Sequence, residues 1–480
     1  MYYTVQKGIC IIMSLLNKLF PSNEDALNII IVGVGKVGTV LADTLSKEGN
    51  NVTIVDKNAE VVSKLTDMYD IMGVAGNGSS YSTLIDAGIE TADLIIAVTD
   101  SDELNLLCCT LAKKVGNCSS IARVRNPDYS GELSYLRDKL GISVIINPEL
   151  ESAREINRIA HFPSAISVNA FARGSVDMIK FKIPADSILC GQKLMDFEKL
   201  ELKNVLVSVV ERDDKLIIPN GSFELCENDI VSVIASPRDA YKFFRKIGLR
   251  SKRINSAMII GGGKTSFYLA KYLVQSGISV KIIESNLARC NELSELLPES
   301  VIIVNGNGTD EAILRQEDLP QTDVFIPLTG IDEENVLLSL YSMKIAPHIK
   351  AITKVNHINF SSVINELDLG SIIYPRFMTA EMILKYVRGK KNSKGSNIET
   401  LYRMFDDRVE AIEFRIDSDA EFTNVALKDL KLKDNLLVAS IIRNGKSFMP
   451  TGDDCLKAGD AVIIVTTHSG FDNISDIIAQ

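Results

Sequence analysis

Positive charge is in deficit. Lys and Arg number 52 against 62 Asp and Glu, a net charge of −10 at pH 7. That balance argues against nucleic acid as the main partner, because neutralising a phosphate backbone needs a basic surface. Histidine is scarce as well: His161, His348, His357 and His468 are the four present. None clusters with acids at ligand spacing, so no metal site is expected. The eight cysteines include no C-x-x-C pair and follow no secretory pattern. They read as reduced, mostly buried thiols of a cytosolic protein. Cys108 and Cys109 fall in a helical pattern, while Cys190, Cys226 and Cys455 are scattered. Long apolar runs are missing too. Gly8–Phe20 is interrupted by Asn17 and Lys18 and is too short to span a bilayer. Lys7 resembles a signal n-region, but no small-residue cleavage site follows. Residues 1–28 therefore read as an N-terminal extension. What remains, 46% apolar and 24% charged over 480 residues, describes a soluble globular chain of two to four domains.

The chain is written twice. Gly33 maps to Gly261 and Asp56 to Glu284, both by a shift of 228. Gly76-Asn77-Gly78 maps to Gly306-Asn307-Gly308 and Thr99 to Thr329, by 230. Arg123 maps to Lys354, Pro219-Asn220-Gly221 to Pro450-Thr451-Gly452, and Asp229 to Asp460, by 231. One register held over the whole repeat indicates a tandem duplication.

Each half holds two modules. In the first, apolar runs alternate with helical patterns, at Ile29–Val32, Val52–Val55, Asp70–Ala75, Leu94–Val98, Ser120–Arg123 and Ser143–Ile146. The second half repeats these strands from Ala257, Ser279, Ser300, Val324, Lys350 and Ser371. The expected fold is α/β, two doubly wound Rossmann-like parallel-sheet domains, at 29–160 and 256–388. Each ends in a helix after a proline, Pro148–His161 and Pro375–Arg388. A small α+β domain follows each, at 164–248 and 408–480. Its strands are expected at Val176–Ile183, Leu206–Val210 and Ile230–Ile234, and again at Val409–Ile416, Leu437–Ile441 and Ala461–Val465, with a short helix near Leu194–Leu200. Asp213-Asp214 and Asn444-Gly445 sit where two-residue hairpins would turn. Residues 389–407, polar and basic, read as a flexible linker, with contact to anionic lipid headgroups as the other reading.

The candidate site begins at IIIVGVGKVG. A strand runs into Gly33, Gly35 and Gly38 at G-x-G-x-x-G spacing, a helix follows, and a second strand ends in Asp56. Gly33 permits the turn, Gly35 lets a pyrophosphate approach, and Gly38 lets the helix lie on the sheet. The helix N-terminus offers free N–H groups to phosphates, and Asp56 can accept the hydroxyls of an adenosine ribose while repelling a 2′-phosphate. Gly76 and Asn77 follow the third strand and would border base and ribose. Thr99 and Asp100 follow the fourth, in a loop that can also cap the next helix. Arg123 ends the fifth strand and can pair with a phosphate; of Arg123 and Arg125, one can instead bind a carboxylate of the protein. In the second half Gly261, Gly263, Glu284 and Gly306 keep the plan, Ser266 stands in place of the third glycine, and Lys354 replaces Arg123. Gly263-Lys264-Thr265 ends like an ATPase phosphate loop, but position 258 is Met, which rejects that motif. The histidines lie outside the ligand loops, except that His357 follows the fifth strand, and no nucleophile with a base is evident. No catalytic residue is expected.

These stretches in combination (IIIVGVGKVG, VAGNGSS, AVTDSDELN, IARVRNPDY and the repeated IIPNG…END and FMPTG…AGD) resemble the family of modules that regulate conductance of K+ (RCK, or KTN), over nearly the whole chain after Asn28. The resemblance implies a cytosolic gating ring, dimeric or larger, at the inner face of the plasma membrane. It would regulate a Trk-type, TrkH/TrkG-like K+-translocating subunit in response to NAD(H), with ADP or ATP as other ligands. It implies that Gly33, Val34, Gly35, Lys36 and Val37 hold phosphates, with Gly38 closing the cofactor-binding motif, that Asp56 holds the ribose, and that Thr99, Asp100 and Arg123 complete the first site. Gly261, Gly262, Gly263, Lys264, Thr265, Glu284, Thr329 and Lys354 would make the second. The crossover helices would face a dimer partner. A nicotinamide-dependent oxidoreductase and a regulator of another cation channel or antiporter stay open as alternatives.

Overall fold

The β-branched run Ile29–Val32 has no polar face, so it needs cover on both sides, and the fold supplies it. In a computed structural model this run is the inner strand of a parallel sheet. The structure describes residues 26–479 except 130–131, 163, 172–173, 198, 203, 250–253, 357–366, 368, 393–397, 406–407, 417–419, 421 and 472. The expected N-terminal extension to residue 25 and His357 lie outside the described residues. The chain divides into two compact units, one through Ile146 and one from Asn147 onward.

In the first unit β1 (Asn28–Val32), β2 (Asn51–Asp56), β3 (Met72–Ala75), β4 (Leu94–Ala97), β5 (Ser119–Arg123) and β6 (Val144–Ile146) form one sheet in the order β3-β2-β1-β4-β5-β6. Every pairing is parallel. Helices cover the sheet. Ile30, Val32, Ile95 and Ala97 are packed with Cys108, Cys109 and Ala112 of the helix Asp102–Val115. The switch in strand order lies between β1 and β4, where open sheets receive ligands.

The second unit opens on the helix Pro148–Ala160, expected to close the first nucleotide-fold domain. Its apolar side (Ala153, Ile156, Ile159 and Ala160) is buried in one core with Phe267, Tyr268 and Leu269 of the helix Lys264–Gln275. Asn147 Nδ2 donates to Tyr268 Oη at 3.0 Å and Arg154 Nε to Tyr272 Oη at 3.0 Å. The partner expected for this helix in another chain is thus met by the second repeat of the same chain.

Next come β7 (Ala165–Phe171), β8 (Val176–Lys182), β9 (Val205–Arg212), β10 (Lys215–Ile217) and β11 (Ile230–Ala235), an antiparallel sheet ordered β10-β9-β11-β8-β7. The expected short helix reduces to a 3-10 turn, Leu194–Asp196. The helix Pro237–Lys246 packs Phe243 and Phe244 onto Phe181. The second parallel sheet follows with β12 (Ser256–Ile260), β13 (Ser279–Glu284), β14 (Val301–Asn305), β15 (Val324–Pro327), β16 (Lys350–Lys354) and β17 (Ser371–Ile373), in the order β14-β13-β12-β15-β16-β17. The last sheet is β18 (Ile398–Met404), β19 (Val409–Arg415), β20 (Leu436–Arg443), β21 (Lys446–Phe448) and β22 (Ala461–Thr466). Both hairpins turn where expected, with positive φ at Asp213, Asp214, Asn444 and Gly445.

Residues 389–407 are not a linker throughout. The helix begun at Pro375 runs to Asn392, and β18 pairs antiparallel with β19 from Ile398 to Met404. Composition misses this strand because it buries polar side chains in pairs: Thr400 Oγ1 donates to Glu413 Oε2 at 2.9 Å. The two small domains stack face to face. Phe171, Val176, Met178 and Val209 share a core with Phe405, Val409, Ala411 and Ile463. Arg408 reaches across to Glu211 at 3.3 Å.

Candidate functional site

The turn after β1 is built from its backbone. Gly33 has φ +93°, and a Cβ there would meet Thr99 N at 2.8 Å. A Cβ on Gly38 would sit 2.0 Å from the Gly33 carbonyl, so the helix Lys36–Lys47 lies against the turn only because side chains are absent. Gly35 differs: a Cβ there meets no protein atom within 4 Å. No packing among the described residues demands a glycine at that point. Gly35 is also the N-cap residue and makes no side-chain cap, whereas Asn58 and Ser101 cap the helices after β2 and β4. The first N–H groups of this helix keep their partial positive charge without a side-chain acceptor.

Asp56 at the tip of β2 is fixed by two backbone donors, Val34 N at 2.9 Å and Asn58 N at 3.0 Å. A carboxylate has about four acceptor positions, so it retains capacity for a diol. The Val34 N–H, expected at the phosphates, is committed to this carboxylate. The Val34 and Val37 side chains are buried, and Lys36 is exposed.

The loop after β4 is organised by a residue outside the expected set. Asn105 is fully buried. Its Oδ1 accepts from Thr99 N at 2.8 Å and Thr99 Oγ1 at 2.7 Å, and its Nδ2 donates to Arg123 O at 2.9 Å. Arg123 Nη2 donates to Thr99 O at 2.7 Å and meets exposed Asp100 at 3.2 Å. Arg125 turns to the protein: its Nη2 donates to Asp100 O at 2.6 Å and its Nε lies 3.8 Å from Asp102. Gly76 continues the β2 pairing, but a Cβ on it would meet Thr83 at 2.8 Å. That glycine is required by the packing of its own loop. Asn77 closes a local turn onto Ser79 N at 3.1 Å.

The second half repeats this wiring. Gly261 has φ +96° and a Cβ on Gly263 would meet nothing within 4 Å. Glu284 Oε2 accepts from Gly262 N at 2.6 Å and Oε1 from Asn286 N at 2.7 Å. Asn335 holds Thr329 N at 3.0 Å and Lys354 O at 3.1 Å. Ser266 keeps its place by donating Oγ to Gly261 O at 2.5 Å. Lys264 and Thr265 open the helix Lys264–Gln275, Gly306 N donates to Glu284 O at 3.0 Å, and Lys354 Nζ donates to Leu328 O at 3.1 Å. Gly261–Gly263, Glu284, Thr329 and Glu334 line a cleft of about 340 Å³. A cleft of about 670 Å³, lined by Asn28, Asn51, Tyr69 and Asp70, lies at the amino ends of β1 and β2, the far end of the sheet from Gly33.

Known proteins carry the same modules. The TrkA-N domain matches residues 29–148 and 257–375, and the TrkA-C domain matches 178–248 and 411–479. The chain is 31% identical to Trk system potassium uptake protein TrkA homolog 1 of Methanosarcina mazei, over 92% of this chain and 97% of that protein. It is 31% identical to the TrkA homolog of Archaeoglobus fulgidus, over 94% of this chain and 100% of that one.

The chain belongs to the TrkA family.

Among solved structures, the GsuK channel bound to NAD is similar in fold, with TM-score 0.60 and 16% identity, over 92% of this chain and 77% of that one. Within the TrkA frame, the structure gathers Gly33, Gly35, Asp56, Thr99 and Arg123 at the carboxyl ends of β1, β2, β4 and β5, and their repeat partners likewise. Sequence reasoning missed Asn105 and Asn335, although the shared interval Thr99-to-Asn105 and Thr329-to-Asn335 was a usable signal. It also missed Arg289, whose Nε donates to Gly262 O at 2.7 Å. The first half offers no such clue, since Val61 stands at the corresponding position. Among the described residues no group of three or more His, Cys, Asp or Glu is placed to hold a metal ion, and no helix is long and apolar enough to cross a membrane.

Proposed function

We propose that this TrkA-family chain is the nucleotide-sensing regulatory subunit of a Trk-type potassium uptake system, working at the cytoplasmic face of the membrane on a K+-translocating partner. The observation that carries the reading is the duplicated pairing of an uncapped helix N-terminus at an open glycine with an acid held by two backbone N–H groups. That pairing fits an adenosine diphosphate moiety, and NAD(H), ADP and ATP all present one. Phosphates would sit over Gly35 and Gly263, and the ribose hydroxyls on Asp56 and Glu284. Arg123 would exchange the exposed Asp100 for a phosphate oxygen, and Lys354 would serve the second site with a single charge instead of a fork. In this reading the nucleotide ties the glycine turn to the Thr99 loop, which in turn is tied through Asn105 to β5.

A ligand of this kind acts by its differential affinity for two shapes of the assembly. The crossover helices make that route short. Chain leaving β6 enters Pro148–Ala160, whose apolar side is locked into the second repeat. Self-association into a ring would multiply the effect. An oxidoreductase would need a proton donor facing a nicotinamide, commonly His or Lys; the first site offers Thr99, Asp100 and Arg123 after β4 and β5, and Lys354 of the second is taken up by the phosphate in this reading.

Calorimetry with NADH, NAD+, ADP and ATP tests the reading on the wild type and on Asp56→Ala and Glu284→Ala. Each substitution should weaken binding at its own half about tenfold or more, since a charge-assisted bond to a diol is lost. Unchanged affinity in both variants would remove the proposed sites. Steady NADH turnover with an added substrate would favour the oxidoreductase.

A further inference from the structure

The helix Pro237–Lys246 stands apart from the chain's acidic balance. Its inner face is Ala240, Phe243 and Phe244, all buried. Its outer face carries Arg238, Tyr241, Lys242 and Arg245, all exposed, with Tyr241 at 54%. Their spacing of three and four places them in one stripe. Among the described residues Lys242 makes only an i,i+3 contact with Asp239 at 3.3 Å, and Lys246 pairs with Glu201. The sequence continues with Arg250-Ser251-Lys252-Arg253. Asp239 is the one acid from Pro237 to Arg253 in a protein of net charge −10.

The duplication provides an internal control. The strand before this helix, β11, corresponds to β22. After β22 the chain reads Thr467-His468-Ser469-Gly470-Phe471-Asp472-Asn473-Ile474-Ser475-Asp476-Ile477, with no Lys or Arg. There a 3-10 turn, Ile474–Ile477, covers the sheet by burying Ile474 and Ile477. Covering the sheet therefore requires apolar residues and not cations. The cationic stripe is an addition to the first repeat that its fold does not need.

We propose that this stripe is a docking surface for an anionic lipid bilayer. Long cationic side chains flanking an exposed tyrosine match the headgroup layer, where charge pairs with lipid phosphates and an amphipathic ring sits at the boundary. The lipid surface is favoured over a protein partner by charge complementarity along a single convex helix face, and over nucleic acid by the acidic remainder of the chain. The contact would hold the first small domain against the membrane independently of any transporter.

The test is sedimentation of the full-length chain with vesicles of phosphatidylcholine alone or with 30 mol% phosphatidylglycerol (about a third anionic lipid, a composition chosen to mimic an anionic leaflet). Binding is expected on the anionic vesicles only and should weaken with added salt. The triple substitution Arg238→Gln, Lys242→Gln and Arg245→Gln should lower it roughly a hundredfold, at about fivefold for each cation near the surface. A parallel variant, Lys390→Gln with Lys391→Gln, should bind as the wild type does. Absence of binding to anionic vesicles, equal binding by the triple variant, or loss confined to the parallel variant would each overturn the proposal. Neither nucleotide nor transporter enters the assay, so its failure is distinct from failure of the regulatory reading.

Discussion

Two glycines of one motif should respond oppositely to the same methyl group. At Gly38 a Cβ falls 2.0 Å from the Gly33 carbonyl, which is backbone and cannot swing away. Gly38→Ala should cost about 2–3 kcal/mol, as over-packing does, read as a lower thermal midpoint of the full chain. At Gly35 a Cβ meets nothing, and φ −70° suits alanine. Gly35→Ala should change stability by less than about 1 kcal/mol yet weaken NADH binding in the first half at least tenfold, measured by calorimetry with the second site disabled by Glu284→Ala. Equal affinity would remove the phosphates from Gly35. The glycines and the two acids were legible in the sequence because a strand–turn–helix fixes their spacing. The use made of neighbouring N–H groups was not. Val34 N and Gly262 N are consumed by Asp56 and Glu284, a choice set by side-chain reach that spacing does not encode. Ser266 shows the same limit: standing in place of the third glycine, its hydroxyl donates to the carbonyl of Gly261 in the turn.

At the scale of elements, three segments meet at one buried side chain. Asn105, on the helix Asp102–Val115, holds the loop after β4 through Thr99 and the end of β5 through Arg123 O. Asn105→Ala would remove the side-chain acceptor of the Thr99 N–H and a donor to the Arg123 carbonyl, at a cost of about 1–3 kcal/mol. Because the same loop borders the candidate site, nucleotide affinity should fall with stability. Denaturant unfolding together with calorimetry measures both, and a variant that lost affinity with unchanged stability would assign Asn105 to the ligand directly. The parallel strands were readable because buried strands are continuous apolar runs. β7 and β18 were not, since each is an edge strand interrupted by polar residues, Ser167 and Asn169 in one and Glu399, Thr400 and Arg403 in the other, and β18 lies in a stretch whose composition looks like a linker. The crossover helix Pro148–Ala160 was readable as a helix, but its partner was not: an apolar stripe states that it will be covered, without saying by which chain.

For the molecule as a whole, duplication packs a helix of the first half, Pro148–Ala160, on one of the second, Lys264–Gln275, and buries acids within the second unit. Glu155, on the crossover helix, pairs with Arg158 at 2.7 Å and retains 18% exposure. Asp177 on β8 is 3% exposed, and its Oδ1 has no hydrogen-bond partner among the described residues. Burial pushes the Glu155 carboxyl up to about 7 against the pull of Arg158, with Asp177 and Glu151 adding to the rise. Burial likewise raises Asp177 to about 6, again opposed by Arg158. Tyr402 of the second repeat, also raised by burial, feels the charges of Glu155, Glu381, Glu413 and Arg158. The sign follows from linkage. Both folded-state values lie above the ordinary carboxyl range near 4, so the folded chain binds these protons more tightly than the unfolded one. The ionised groups therefore penalise folding fully above about pH 7, and the penalty is relieved as pH falls through about 7 and 6. The full chain should melt a few degrees higher at pH 6 than at pH 8. Glu155→Gln with Asp177→Asn should raise the midpoint at pH 8 and flatten the difference, provided Arg158, with a side chain one-third exposed, is still solvated. A wild-type midpoint that fell on going from pH 8 to pH 6, or a double variant with the same pH dependence, would mean that these acids are held ionised in the folded chain. The junction between the crossover helix and the small domains would then be insensitive to protons in that range.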